Sequence, residues 1–178
     1  MIQAIRMLVW MVVLTGIIYS ACVTVVALGM ARRAGGDLIV IQRQVVGAKL
    51  IGQKFESAGY FWSRPSASHY SALPAQGSNL GPTSAKLRDL VEERKNRFKS
   101  PKVPSVLLFA SGSGLDPHIT REAAHFQAER VATARKISVD ELKALIDTHT
   151  TKPCLKFLGQ EEVNVLLLNV ELDRKEKR

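Results

Sequence analysis

Cysteine is almost missing from this 178-residue chain, which has only Cys22 and Cys154. Cys22 falls inside a long apolar run and Cys154 lies far beyond it, so the two are not placed to meet. That excludes a disulfide framework as the scaffold. Histidine is scarce as well, with four residues. A metal centre needs three or four converging ligands, and the only suggestive company is Asp116 with His118, plus His69 elsewhere. No metal is expected. Nucleic-acid modules are missing too. The net charge of +9 would suit nucleic acid or anionic lipid, but its basic residues are mixed with acids, as in Arg88-Asp89-Leu90-Val91-Glu92-Glu93-Arg94-Lys95 and the terminal Arg174-Lys175-Glu176-Lys177-Arg178. A solvated helix face and a ragged tail account for it, and no nucleic-acid partner is expected.

One long run lacks charge altogether: residues 7–30, between Arg6 and Arg32-Arg33. About 20 apolar residues suffice to cross a bilayer as a helix. Lipid offers the backbone no partners, so helix is forced. Trp10 sits near one end, where headgroups accommodate an amphipathic ring. Ala27-Leu28-Gly29 resembles a signal-peptidase site, but the run exceeds the roughly 7–15 apolar residues of a signal peptide. The expected organisation is a short tail (1–6), a retained transmembrane helix (7–30) with lipid around it, and one soluble domain (31–178). Gly16, Ser20 and Thr24 recur at i, i+4, i+8 and share a helix face. Small residues so spaced permit close packing of a second membrane helix, although ordinary tolerance of small residues gives the same pattern. Arg32, Arg33, Arg43 and Lys49 outnumber Arg6 and the amino terminus, so a charge count places the domain in the cytoplasm.

Beyond the Gly35-Gly36 joint, residues 38–52 are apolar but interrupted by glycine, leaving strand or helix open. Residues 60–82 read as a long loop whose aromatics, Tyr60, Phe61, Trp62 and Tyr70, argue against disorder. Thr83 or Ser84 caps a helix ended by Pro101 and Pro104. Val106-Leu107-Leu108-Phe109 reads as a buried strand, and a helix follows from about Thr120 to Arg135. Ser138 with Glu141 forms a capping box, stapled by Ile137 and Leu142, for the next helix. Residues 163–170 read as a core strand in which Asn164 and Asn169 must be hydrogen-bonded if buried, tying down neighbouring loops. The element order predicts an α/β or α+β soluble domain.

The densest candidate site is Ser111-Gly112-Ser113-Gly114-Leu115-Asp116-Pro117-His118. A glycine-rich turn between strand and helix suits phosphate, yet Pro117 stands where a dinucleotide fingerprint needs its third glycine, and the P-loop lysine is missing. Neither window around Ser111 or Ser113 is the Gly-x-Ser-x-Gly of a nucleophile elbow. Asp116 is expected to hold the turn through backbone N–H groups. The alternative is a membrane-anchored hydrolase or nucleotide-binding protein using Ser113, Asp116 and His118.

Seven segments, the Ser111 turn among them, stand in a recognisable order: Leu50-Ile51-Gly52-Gln53, Tyr60-Phe61, Arg64-Pro65-Ser66-Ala67, Gly77-Ser78-Asn79-Leu80-Gly81-Pro82, Ser111 to Ile119, Gln127-x-x-Arg130-Val131-Ala132-x-Ala134-Arg135 and Val163-Asn164-Val165-Leu166-x-Leu168-Asn169. With Leu14-Thr15-Gly16-x-x-Tyr19 in the anchor, they resemble the C-subunit family of Kdp-type potassium-transporting P-type ATPases. Ser20, Asp37, Phe109 and Leu73 to Gln76 depart from the usual family pattern. The resemblance implies a bacterial inner-membrane complex with a channel-like potassium-binding subunit and an ATP-hydrolysing pump subunit. It implies one membrane helix and a periplasmic head for this chain, against the charge count, since large domains translocate largely regardless of flanking charge. It implies an accessory subunit that is no enzyme alone, binds no cofactor firmly, and acts as a catalytic chaperone raising the pump's affinity for ATP. ATP contact is admitted by the family attribution only. The partner-facing or fold-defining residues are then Arg64, Pro65, Ser66, Ser78, Asn79, Ser111, Gly112, Ser113, Gly114, Asp116, His118, Asn164 and Asn169, with Gly16, Ser20 and Thr24 for membrane-helix packing.

Overall fold

Uninterrupted apolar sequence gives helix α1, Ile2–Gly29, which is long and apolar enough to cross a membrane and has none of its length buried in the protein. Its hydroxyls are satisfied along the helix: Thr15 donates to the Met11 carbonyl at 2.7 Å and Thr24 to that of Ser20 at 2.8 Å. Internal satisfaction of this kind is what a lipid surround demands. The segment Val13–Ile18 is wound as a π-helix. The computed structural model describes residues 1–30, 35–153 and 159–176. Arg32, Arg33 and Cys154 lie outside them.

Two compact units are present, Met1–Val46 and Gly47–Arg178. Residues 38–48 of the undecided stretch form a hairpin of β1 (Leu38–Ile41) and β2 (Gln44–Ala48), and residues 49–52 are neither helix nor strand. Gln42 and Arg43 both take positive φ, 49° and 65°, as a two-residue turn matching strand twist requires.

The second unit comprises α2 (Ala85–Phe98), a 3₁₀ turn at Ser105–Leu107, β3 (His118–Thr120), α3 (Arg121–Arg135), α4 (Val139–Thr148), β4 (Thr150–Thr151), β5 (Glu162–Asn164) and α5 (Val165–Glu176). The strands form one antiparallel sheet in the order β3-β5-β4, with Ile119 opposite Val163 and Thr150 also opposite Val163. Helices beside an antiparallel sheet make the domain α+β. Ile119, Val131, Leu142, Ile146, Val163, Val165 and Leu168 fill the core, while Ala123, Ala124, Ala128 and Ala132 present a small-residue face of α3 to it.

Local signals explain the helix boundaries. Ser84, Thr120 and Ser138 cap α2, α3 and α4 by accepting the N–H groups of Leu87, Ala123 and Asp140. Ile137 and Leu142 both join the core as the staple requires, but Glu141 pairs with Lys175 at 3.0 Å.

Two expected strands differ. Residues 106–109 do not form one: Leu107 N–H bonds Pro104 O and Leu108 N–H bonds Ser105 O, curling the chain so that Leu107 is buried and Phe109 exposed. The expected strand 163–170 ends at Asn164, whose Oδ1 accepts the Leu167 N–H at 3.1 Å and starts a helix. An apolar run buried nearly all round has no period to distinguish strand from helix.

Candidate functional site

Residues 49–84 contain neither helix nor strand, so their backbone polar groups need other partners. Side chains from α3 and α5 supply them. Asn169 on α5 accepts the Phe61 N–H at 2.9 Å and donates to the Phe61 carbonyl at 3.0 Å. Gln127 on α3 does the same for Trp62, at 2.9 and 3.2 Å. Two buried amides therefore replace the neighbouring strand that Phe61-Trp62 lacks. Arg130 donates to the Ala58 and Tyr60 carbonyls at 2.6 and 3.0 Å, and Arg135 to Gly59 at 2.6 Å. Their guanidinium groups lie over the Trp62 and Tyr60 rings, 3.9 and 4.6 Å from the centroids. Gln127, Arg130 and Arg135 were not singled out from sequence as site residues. Their signal was the helical spacing of three polar side chains among alanines, which reads equally well as a solvated stripe.

The Ser111 to His118 turn is held by neighbouring loops. Ser111 N–H bonds Pro65 O at 3.2 Å, and Leu115 O accepts from Gly52 N–H at 2.7 Å. Pro117 O accepts from Val165 N–H at 3.0 Å, joining the turn to α5. Ser66 Oγ accepts the N–H groups of Ser68 and Tyr70, and the Tyr70 hydroxyl donates to Arg64 O at 2.6 Å. Glycine is required where these loops touch. A Cβ on Gly77 would fall 2.7 Å from Gly112 O, and one on Gly114, at φ +72°, would fall 2.7 Å from Gln76 O.

Asp116 organises the turn as expected. Its Oδ1 accepts the His118 N–H at 3.0 Å and its Oδ2 accepts from Arg64 at 3.0 Å. His118 Nδ1 faces Asp116 Oδ1 at 3.7 Å, and its Nε2 lies 3.4 Å from the Asn164 amide, which itself donates to Lys49 O at 2.7 Å. Burial works against the Asp116 charge, but the His118 bonds and then Arg64 outweigh it and hold the carboxyl below its ordinary value. The same Asp116 bond raises the His118 imidazole against the effect of burial. Ser113 Oγ accepts the Leu115 N–H at 3.1 Å within its own turn. Serine, aspartate and histidine are thus each held by the fold, and Ser113 is not hydrogen-bonded to His118. Ser111 Oγ and Arg64 Nε are buried and have no hydrogen-bond partner among the described residues. Among those residues, no three His, Cys, Asp or Glu side chains gather to hold a metal.

A family model described as "KdpC: K+-transporting ATPase, c chain" matches residues 1–174, covering helix α1 and nearly all of the second unit. This chain belongs to the KdpC family. It is 44% identical to a protein named potassium-transporting ATPase KdpC subunit from Cereibacter sphaeroides, covering 90% of this chain and 89% of that one. It is 42% identical to the protein of that name from Herpetosiphon aurantiacus, covering 91% and 89%. A third, from Mycobacterium tuberculosis, is 43% identical and covers 98% and 97%.

In this KdpC-family chain the sequence-selected residues fall into separate places. Arg64, Pro65, Ser66, Ser111, Gly114, Asp116, His118 and Asn164 are brought together around one turn. Asn169 belongs instead to the clamp on Phe61. Gly112 and Ser113 are exposed at the tip of the turn. Ser78 is half-buried, and exposed Asn79 takes a left-handed φ of 53° beside the Gly77 contact with Gly112. Gly16 lies inside the π-helical segment, with Ser20 and Thr24 in the α-helix beyond it.

Proposed function

We propose that this KdpC-family chain is an accessory subunit of an ATP-driven potassium uptake complex in a bacterial inner membrane. In this reading it has no turnover of its own. The observation that carries it is the family match over residues 1–174, which takes in anchor and head together. Helix α1 tethers the chain and offers Gly16, Ser20 and Thr24 to a membrane partner. The head lies on the periplasmic side and docks on the pump and channel-like subunits. Its exposed turn tip, Gly112-Ser113, and the neighbouring Ser78-Asn79 loop face the partners, while Arg64, Asp116, His118, Asn164 and Asn169 hold those surfaces in shape. Assembly then raises the pump subunit's affinity for ATP, with no ATP held firmly by this chain. The test is the apparent ATP affinity of the reconstituted pump and channel-like subunits with and without the chain. The expected outcome is weaker apparent affinity without it, restored on adding it back. An unchanged affinity would remove the chaperone role while leaving subunit membership standing.

A further inference from the structure

Arg130 and Arg135 do parallel work, yet their charges are treated differently. Each donates to loop carbonyls and lies over an aromatic ring. Arg135 is matched by two carboxylates, Asp173 and Glu176, both at 2.7 Å. Among the described residues Arg130 bonds only neutral oxygens, those of Ala58, Tyr60 and Gln127. Its companion at the Trp62 ring is a second cation, Arg97, also 3.9 Å from the centroid. Burial and then the Arg97 charge push Arg130 down to about 10, as expected of a cation lacking a counter-charge. Among the described residues neither Arg97 nor Arg130 has a carboxylate within ion-pair distance. Glu56, whose charge reaches Arg97, is paired with Lys54 at 2.8 Å.

An open cleft of about 670 Å³ lies between the end of α2 and the face of α3, lined by Arg97, Lys99, Arg130, His125 and Glu129 among others. Its histidine is engaged by Asp147 at 2.9 Å, leaving Glu129 as the one acid beside Arg97, Lys99 and Arg130 among the described lining residues. Arg130 is half-buried while Arg97 and Lys99 are exposed, so a charge-assisted bond to Arg130 is the one least screened by water. We propose that this cleft is a binding site for a phosphate-class oxyanion, seated between Arg97, Lys99 and Arg130 where Asp173 and Glu176 sit at Arg135. The anion reaches it either free in solution or as a lipid headgroup.

The test uses the full chain in phosphatidylcholine nanodiscs, dialysed at low salt against labelled inorganic phosphate, with empty discs as background. Saturable uptake is expected, weakened about tenfold or more by Arg97→Gln, the effect of losing one charge-assisted contact. Arg97 is exposed, and the variant removes its contact with the Trp62 ring but no loop-carbonyl bond among the described residues, so the head should stay folded with at most a small drop in its melting midpoint. Lys143→Gln, an equal charge loss on the exposed face of α4, should leave uptake unchanged. Discs containing phosphatidylglycerol distinguish the sources: displaced phosphate identifies the headgroup as occupant, and unchanged uptake identifies the free anion. No saturable uptake, or uptake that Arg97→Gln and Lys143→Gln reduce equally, overturns the site.

Discussion

Asn169 and Gln127 each have one carboxamide doing the work of a whole neighbouring strand. A carboxamide is the only side chain that offers a donor and an acceptor at peptide-like spacing, so hydrophobic replacements of similar size cannot substitute. Asn169→Leu leaves the buried Phe61 N–H and C=O both unpaired. It should destabilise the head by about 2–4 kcal/mol, read by chemical denaturation of the full chain in mild detergent. The Asp116–His118 pair predicts a pH dependence. A lowered Asp116 contributes stability above its unfolded value of 3.8, lost as pH falls through the folded value. A raised His118 contributes stability that is complete below 6.5 and is lost as pH rises through the folded value. Denaturation midpoints should therefore be highest between those limits. His118→Gln should flatten the decline on the alkaline side and weaken, without abolishing, the acid-side decline, which keeps the backbone N–H of residue 118 and Arg64 as partners of Asp116; an unaltered alkaline decline would contradict the pairing.

At the scale of elements, the head is a small sheet and three core helices serving as a mount for loops. The loop contacts leave no room at glycine. Gly77→Ala puts a methyl group against the Gly112 carbonyl, so the two loops must part. The expected outcome is a loss of about 1–3 kcal/mol in the same denaturation measurement, against a small effect for Gly81→Ala, which meets open space. Much of the framework was legible from sequence, because caps and periodicity are local: α2, α3 and α4 begin at Ser84, Thr120 and Ser138. The failures share one cause. Residues 106–109 and 163–170 are short apolar runs with no readable period to separate strand from helix: the first is too short to show one, and the second is buried nearly all round. Asp116 holding its own turn was legible for the same local reason. Its partner Arg64 is 52 positions away, and the Gln127 and Arg130 clamps span 65 to 72. Distances of that kind carry no signal in a single sequence.

For the whole molecule, one apolar helix and one loop-bearing head are joined in a single chain of the KdpC family. The family relation makes the chain a subunit of a potassium-transporting ATPase, and within its head Asp116 keeps the central turn in shape. The most direct test is affinity capture through this chain from bacterial membranes in a gentle detergent. The account predicts recovery of a P-type ATPase and a channel-like membrane protein at fixed ratio, with both diminished by Asp116→Ala. Recovery of the folded chain alone, from membranes in which both larger proteins are present and intact, would contradict it.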